Sequence, residues 1–164
     1  MKEGQLVVEF KIASFARNPH NSATKGLESK FSSLILSAIE PGVILPAFPQ
    51  GTYQIRIIVL DDPCSDDQSM LDILAAAVTA TSIALSHAGV QMYDLPLGVT
   101  VGSKTQRACL SVLPNMKQIT MTYAHPFSHS NVCQFFDSNL DTALKEAIQS
   151  LANVKSILIS CYSQ

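Results

Sequence analysis

Residues 69–95 read SMLDILAAAVTATSIALSHAGVQMYDL, and the fold turns on how this stretch is read. From Ser69 to Ala88 apolar residues fall on nearly every side of a 3.6-residue period, with no Pro or Gly to interrupt them. A helix that is apolar almost all round is a buried one. Gly89 suits the C′ position, where the chain leaves a helix through positive φ. Asp72, Thr79, Thr81, Ser82, Ser86 and His87 interrupt the apolar run, so it reads as a core helix and not as a membrane span. The reading expects Ala77, Ile83 and Ala84 to be almost fully buried, so an aspartate placed at Ala77 would be an unpaired charge in the core.

The flanking segments build outward from that helix. In residues 5–13, Leu6, Val8, Phe10 and Ile12 alternate on one face, the pattern of a half-buried strand. Residues 15–25 are turn-like around Asn18-Pro19. From Gly26, the residues Leu27, Phe31, Leu34, Ile35, Ala38 and Ile39 recur at helical spacing until Pro41-Gly42 stops them. Residues 53–60 are β-branched and apolar enough for a central strand, and residues 61–68 form an acidic loop. Short strands are expected near 97–102, 107–113 and 117–123, then a closing helix over 139–161 with Ser138 as N-cap. Strands interleaved with helices give an α/β (α+β) chain, read as one domain over residues 1–164 because no repeat or linker divides it.

Composition narrows the function. Of the 164 residues 47% are hydrophobic and only 15% charged, a surface poor in charge that suits burial against partner chains. Eleven basic residues against thirteen acidic ones give a net charge of −2, without the basic excess of a protein that holds nucleic acid alone, so any such contact is expected to be local or shared with partners. Cys64, Cys109, Cys133 and Cys161 form no CxxC pair, and no Asn-x-Ser/Thr acceptor or signal segment is present, the pattern of a reduced, soluble, intracellular protein.

The chemical motifs are weak. His125, His129 and Cys133 lie four apart, but Pro126 breaks the helix that would align them as zinc ligands, so they read as loop residues and no metal site is assigned. Residues 98–105 miss the P-loop spacing. The carboxylates Asp61, Asp62, Asp66, Asp67 and Asp72 are read as favouring the positive end of the helix that follows. Catalytic and cofactor-binding residues are therefore expected to be none.

Three segments, in order, resemble the RNase PH family. They are VVEFKIASFAR at 7–17 with KGLESK at 25–30, then Ala38-Ile39-Glu40-Pro41 with Phe48-Pro49 and IRIIVL at 55–60, and finally residues 75–95. Glu40-Pro41 and Met92-Tyr93-Asp94-Leu95 resemble exosome ring subunits of the MTR (mRNA transport) type. The resemblance implies a ribosomal-protein-S5-domain-2-like fold, shortened before Gln5, and assembly with other RNase PH-like ring subunits and cap proteins, in nucleus, nucleolus and cytoplasm. It implies no cofactor. Active relatives carry a phosphate-binding Gly-Gly-Thr-Arg-Thr run where this chain has Leu71-Asp72-Ile73-Leu74-Ala75. An apolar Leu74 replaces the guanidinium, and Asp72 repels phosphate. An acidic loop that aids phosphorolysis is reduced to Ser103–Gln106, whereas the Asp61–Asp67 loop is about seven residues longer than the family's. The implied activity is that of a non-catalytic ring subunit, against the alternative of an active phosphate-dependent 3′–5′ exoribonuclease. Arg17, His20 and Lys25 fall where relatives grip RNA phosphates, and are the expected RNA contacts.

Overall fold

A computed structural model describes residues 4–13, 15–16, 23–61, 69–102, 107–125 and most of 141–159. Strand β1 (Gln5–Ile12) leads to helix α1 (Ala23–Ile39), then to 3-10 turns at Glu40–Gly42 and Leu45–Ala47. Strand β2 (Thr52–Val59), helix α2 (Ser69–His87) and strands β3 (Leu97–Gly102), β4 (Arg107–Leu113) and β5 (Gln118–His125) follow. The described residues between 141 and 159 are helical.

The strands form two sheets. β1 pairs in parallel with β2, from Gln5 opposite Thr52 to Ile12 opposite Val59. β3, β4 and β5 form an antiparallel sheet in that order. The two helices lie between them. Leu6, Val8, Phe10 and Ile12 of β1, with Ile55, Ile57 and Val59 of β2, face a core that also holds Phe31, Ile35, Leu74 and Val78 of the helices and Cys109 and Met121 of the second sheet. Phe31 links the two sheets, its ring meeting Phe10 edge-on at 5.4 Å and Tyr123 at 6.0 Å. The opposite face of the second sheet, with Val99, Val101, Leu110 and Val112, is covered by Leu144 and Ala147 of the closing helical stretch.

Alternation explains how one sheet serves two layers. Leu97, Val99 and Val101 turn away from α2, while Gly98 and Thr100 turn toward it. A Cβ at Gly98 would stand 2.2 Å from the carbonyl oxygen and 2.5 Å from the Cα of Ala75, so β3 and α2 touch backbone to backbone there. Thr79 Oγ1 accepts a hydrogen bond from the Gly98 amide at 3.0 Å beside that contact. Within α2 the buried hydroxyls of Thr81 and Ser82 bond to the carbonyls of Ala77 and Val78, and Ser82 also reaches the carbonyl of Pro96. Among the described residues no buried polar side chain is left without a hydrogen-bond partner. Gly89 has φ +74°, its amide bonds to Ser86 O at 3.0 Å, and the Val90 amide bonds to Leu85 O at 3.1 Å. This pair of bonds is a Schellman ending, as expected of Gly89.

Several expectations change. Ala77 is buried at 6% exposure, but Ile83 is half-buried and Ala84 is exposed. The sheets cover two sides of α2 and leave a lateral strip of Asp72, Ala76, Ala80, Ala84 and His87 uncovered. Alanines fill this strip, which is why the sequence reads as apolar there too. β2 is not a central strand, since it pairs with β1 alone among the described residues and alternates exposed and half-buried side chains. Helix α1 starts at Ala23 rather than Gly26, so Lys25 belongs to its first turn and not to a loop. Gly26 sits inside that helix with nothing near its missing Cβ. His125 is the last residue of β5 rather than a loop residue, while His129 and Cys133 lie outside the described residues. No group of three metal-ligating side chains occurs among the described residues.

Two glycines make opposite predictions. Gly98→Val forces β3 away from α2 and should lower the unfolding free energy by at least about 3 kcal/mol. Gly26→Ala, at an exposed helical site, should raise it by about 0.5–1 kcal/mol. Chemical denaturation of both variants is the check, and a Gly98→Val protein as stable as the parent would show that β3 and α2 do not meet at Ala75.

Candidate functional site

The first turns of α2, singled out in the sequence by Asp72 and Leu74, have a specific geometry. Leu71 and Leu74 point into the core at 1% and 0% exposure. Asp72 lies between them on the uncovered side, where β3 and β4 reach it. Arg107 donates from Nη1 to Asp72 Oδ2 and from Nη2 to Asp72 Oδ1, both at 2.9 Å. Thr100 Oγ1 donates to Asp72 Oδ1 at 2.9 Å. This is a fork-to-fork pair with a third donor, at the helix end where the macrodipole favours a negative charge. Side-chain exposures of 28% for Arg107 and 49% for Asp72 keep the pair in contact with solvent.

Cys109 sits behind the pair, fully buried on β4. Burial, and secondarily the charge of Asp72, pushes its thiol up to about 12. A thiol in that state is neither a nucleophile nor a ready metal ligand at neutral pH. The site therefore holds one carboxylate bound by an arginine and a threonine, one inert thiol and two buried leucines. It offers no base–nucleophile pair and no free anion cradle among the described residues.

A second polar centre lies at the other end of α2. Asp94 is 6% exposed, and its carboxylate accepts from the amides of Leu95, Asn115 and Met116 and from Asn115 Nδ2, at 2.8 to 3.2 Å. It fixes the turn Pro114–Lys117 between β4 and β5 to the segment that follows α2. The Tyr93 amide bonds to Gly42 O at 2.8 Å and the Ile44 amide to Gln91 O at 3.0 Å, tying the same segment to the end of α1.

Of the expected RNA contacts, Arg17 and His20 lie outside the described residues, and Lys25 is described only as helical backbone at the start of α1. Asp62–Gln68 and Ser103–Gln106 also lie outside them. Arg107 and Thr100 were not legible as partners of Asp72, because they follow it by 35 and 28 residues and only the sheet brings them together.

The family model for the 3′ exoribonuclease family, domain 1 (RNase PH), matches residues 1–91, more than half of the chain. The chain belongs to this family. It is 36% identical over 96 residues to the human exosome complex component MTR3, an overlap covering 58% of this chain and 33% of that protein. It is 33% identical over 101 residues to the exosome complex component Rrp41 of Pyrobaculum islandicum, covering 60% of this chain and 38% of that one. These alignments span only about a third of each curated relative. The crystal structure of rice Rrp46 superposes with a TM-score of 0.67 at 12% identity, covering 99% of this chain and 75% of that one. The RNase PH-like fold expected from the sequence is thus the fold found, in a chain related to exosome components.

The Asp72–Arg107 pair makes a measurable prediction. A double-mutant cycle of Asp72→Ala and Arg107→Ala should give a coupling of about 1 kcal/mol, falling in molar salt. Strictly additive effects of the two substitutions would mean that the pair does not tie α2 to β4.

Proposed function

We propose that this chain is a non-catalytic structural subunit of the RNA exosome core ring, supporting 3′–5′ RNA processing and degradation, ribosomal RNA included. Leu74 carries the proposal. At the position where active relatives hold phosphate with an arginine, this chain has a leucine of 0% exposure, packed into the core. Phosphorolysis requires the attacking phosphate to be positioned and its charge neutralised. The guanidinium that reaches the start of α2, that of Arg107, is already engaged by Asp72. A charge-poor surface and relatives named as exosome components support a place among other RNase PH-like subunits and cap proteins, in nucleus, nucleolus and cytoplasm. RNA would then pass through the assembled ring, with Arg17, His20 and Lys25 as this chain's phosphate contacts.

The second reading, an active phosphate-dependent exoribonuclease, rests on the family itself, and one assay separates the two. Purified alone, the chain should release no nucleoside diphosphates from an unstructured RNA when phosphate is added. Reproducible phosphate-dependent release would overturn the non-catalytic reading. In the same preparation RNA binding should be weak and salt-sensitive, and Arg17→Ala/Lys25→Ala should reduce the salt slope by about 0.7 per lost contact. Equal slopes for parent and variant would remove both residues from the RNA path.

A further inference from the structure

We propose that the outer edge of β2, with the groove beside it, is a docking site for an extended, acidic segment of a partner protein, which adds to the sheet as a third strand. This inference stands on the geometry of β2 and does not depend on the ring reading.

Backbone geometry defines the edge. The Gln5 amide bonds to Gly51 O at 2.8 Å and the Ala13 amide to Val59 O at 2.9 Å, so the odd-numbered residues of this stretch direct their backbone groups toward β1. Successive residues of a strand direct them to opposite sides, so Gln54, Arg56 and Ile58 present theirs at the other edge. No strand pairs with that edge among the described residues. Of the usual guards it carries a charge, Arg56, but β2 contains no proline and no lysine, and its pairing with β1 runs without a bulge.

The space beside the edge suits a strand. A groove of about 360 Å³ runs between Gln54 and Arg56 on one wall and Thr81, Ala84, Ala88 and Val90 on the other. Ala84 and Ala88 are exposed and small, so a backbone can approach the flank of α2 while its inward side chains lie over them.

Charge selects the occupant. Arg56 is the one ionised side chain among the described residues lining the groove, and its side chain is 59% exposed. It shares Glu9 with Lys11, at 2.9 Å and 2.6 Å, and the two cations hold the Glu9 carboxyl below its usual range, Lys11 more than Arg56. Among the described side chains of β1 and β2, one carboxylate between two cations leaves this sheet face with a net positive charge. A strand whose outward side chains are carboxylates complements it, whereas a basic strand is repelled.

The test uses the full chain, labelled with ¹⁵N, and a capped heptapeptide Thr-Val-Asp-Val-Asp-Val-Thr. Saturable shifts and new exchange protection are expected at the amides of Gln54, Arg56 and Ile58, while Tyr53, Ile55 and Ile57 are protected from the outset. Replacing both Asp by Lys should weaken binding about tenfold, as should Ile58→Pro, which removes one edge donor and leaves the ladder with β1 intact. Ala84→Gln, at an exposed helical site, fills the groove and gives the same loss if the proline variant does not fold. Absence of saturable change at the three amides at millimolar peptide would overturn the proposal, as would equal binding by the Lys peptide. Protection of these amides that rises with protein concentration alone would also overturn it, by showing a second copy of the chain as the occupant.

Discussion

The contact between Gly98 and the backbone of Ala75 is the constraint on which the arrangement depends. Only a residue without a Cβ lets β3 lie directly on α2, with 2.2 Å left between the position of a Cβ and the Ala75 carbonyl oxygen. That closeness brings Thr100 and Arg107 within reach of Asp72 and seats Cys109 and Met121 against the helices. It also orients Leu74 inward. Were α2 a few ångströms farther out, the sheets would not share one core.

Around this contact the fold separates apolar from polar tasks. The apolar core joins the parallel pair, the helices and the antiparallel sheet through Phe10, Phe31, Leu74, Val78 and Met121. Buried polar groups act as ties between segments distant in sequence. Asp94, with four donors, fixes the β4–β5 turn to the end of α2, and removing the carboxylate would leave several donors unsatisfied at a typical 1–3 kcal/mol each. The same economy governs the start of α2, where the carboxylate of Asp72 is occupied by an arginine and a threonine. A site so closed suits a subunit that holds shape, which is the role proposed for the chain.

Much of this was legible in the sequence, and the reasons differ by element. β1 follows from alternation, and α2 from its unbroken apolar run ending at Gly89, because these signals are local. Pairing was not legible, since β2 looks like a central strand from composition alone while its partner is set by a chain reversal through α1. The uncovered strip of α2 was missed because alanine reads as apolar whether a neighbour covers it or not. The helix was read from Gly26 because its apolar spacing begins at Leu27 after a turn-like stretch, yet the residues before it continue the helix to Ala23. At the candidate site Asp72 and Leu74 were singled out by resemblance to the family. The partners of Asp72 and the buried role of Asp94 needed the folded chain, as no spacing rule connects residues 20 to 35 apart across two elements.

The central claim is that this chain acts as one subunit of a ring of related subunits. The most direct measurement is native mass spectrometry of the tagged chain after co-expression with the RNase PH-type ring subunits of the same cell. The account predicts a stable hetero-oligomer that contains this 17.7 kDa chain in fixed stoichiometry with at least one of them. A chain recovered only as a monomer or with itself, while the other subunits assemble without it, would contradict the account.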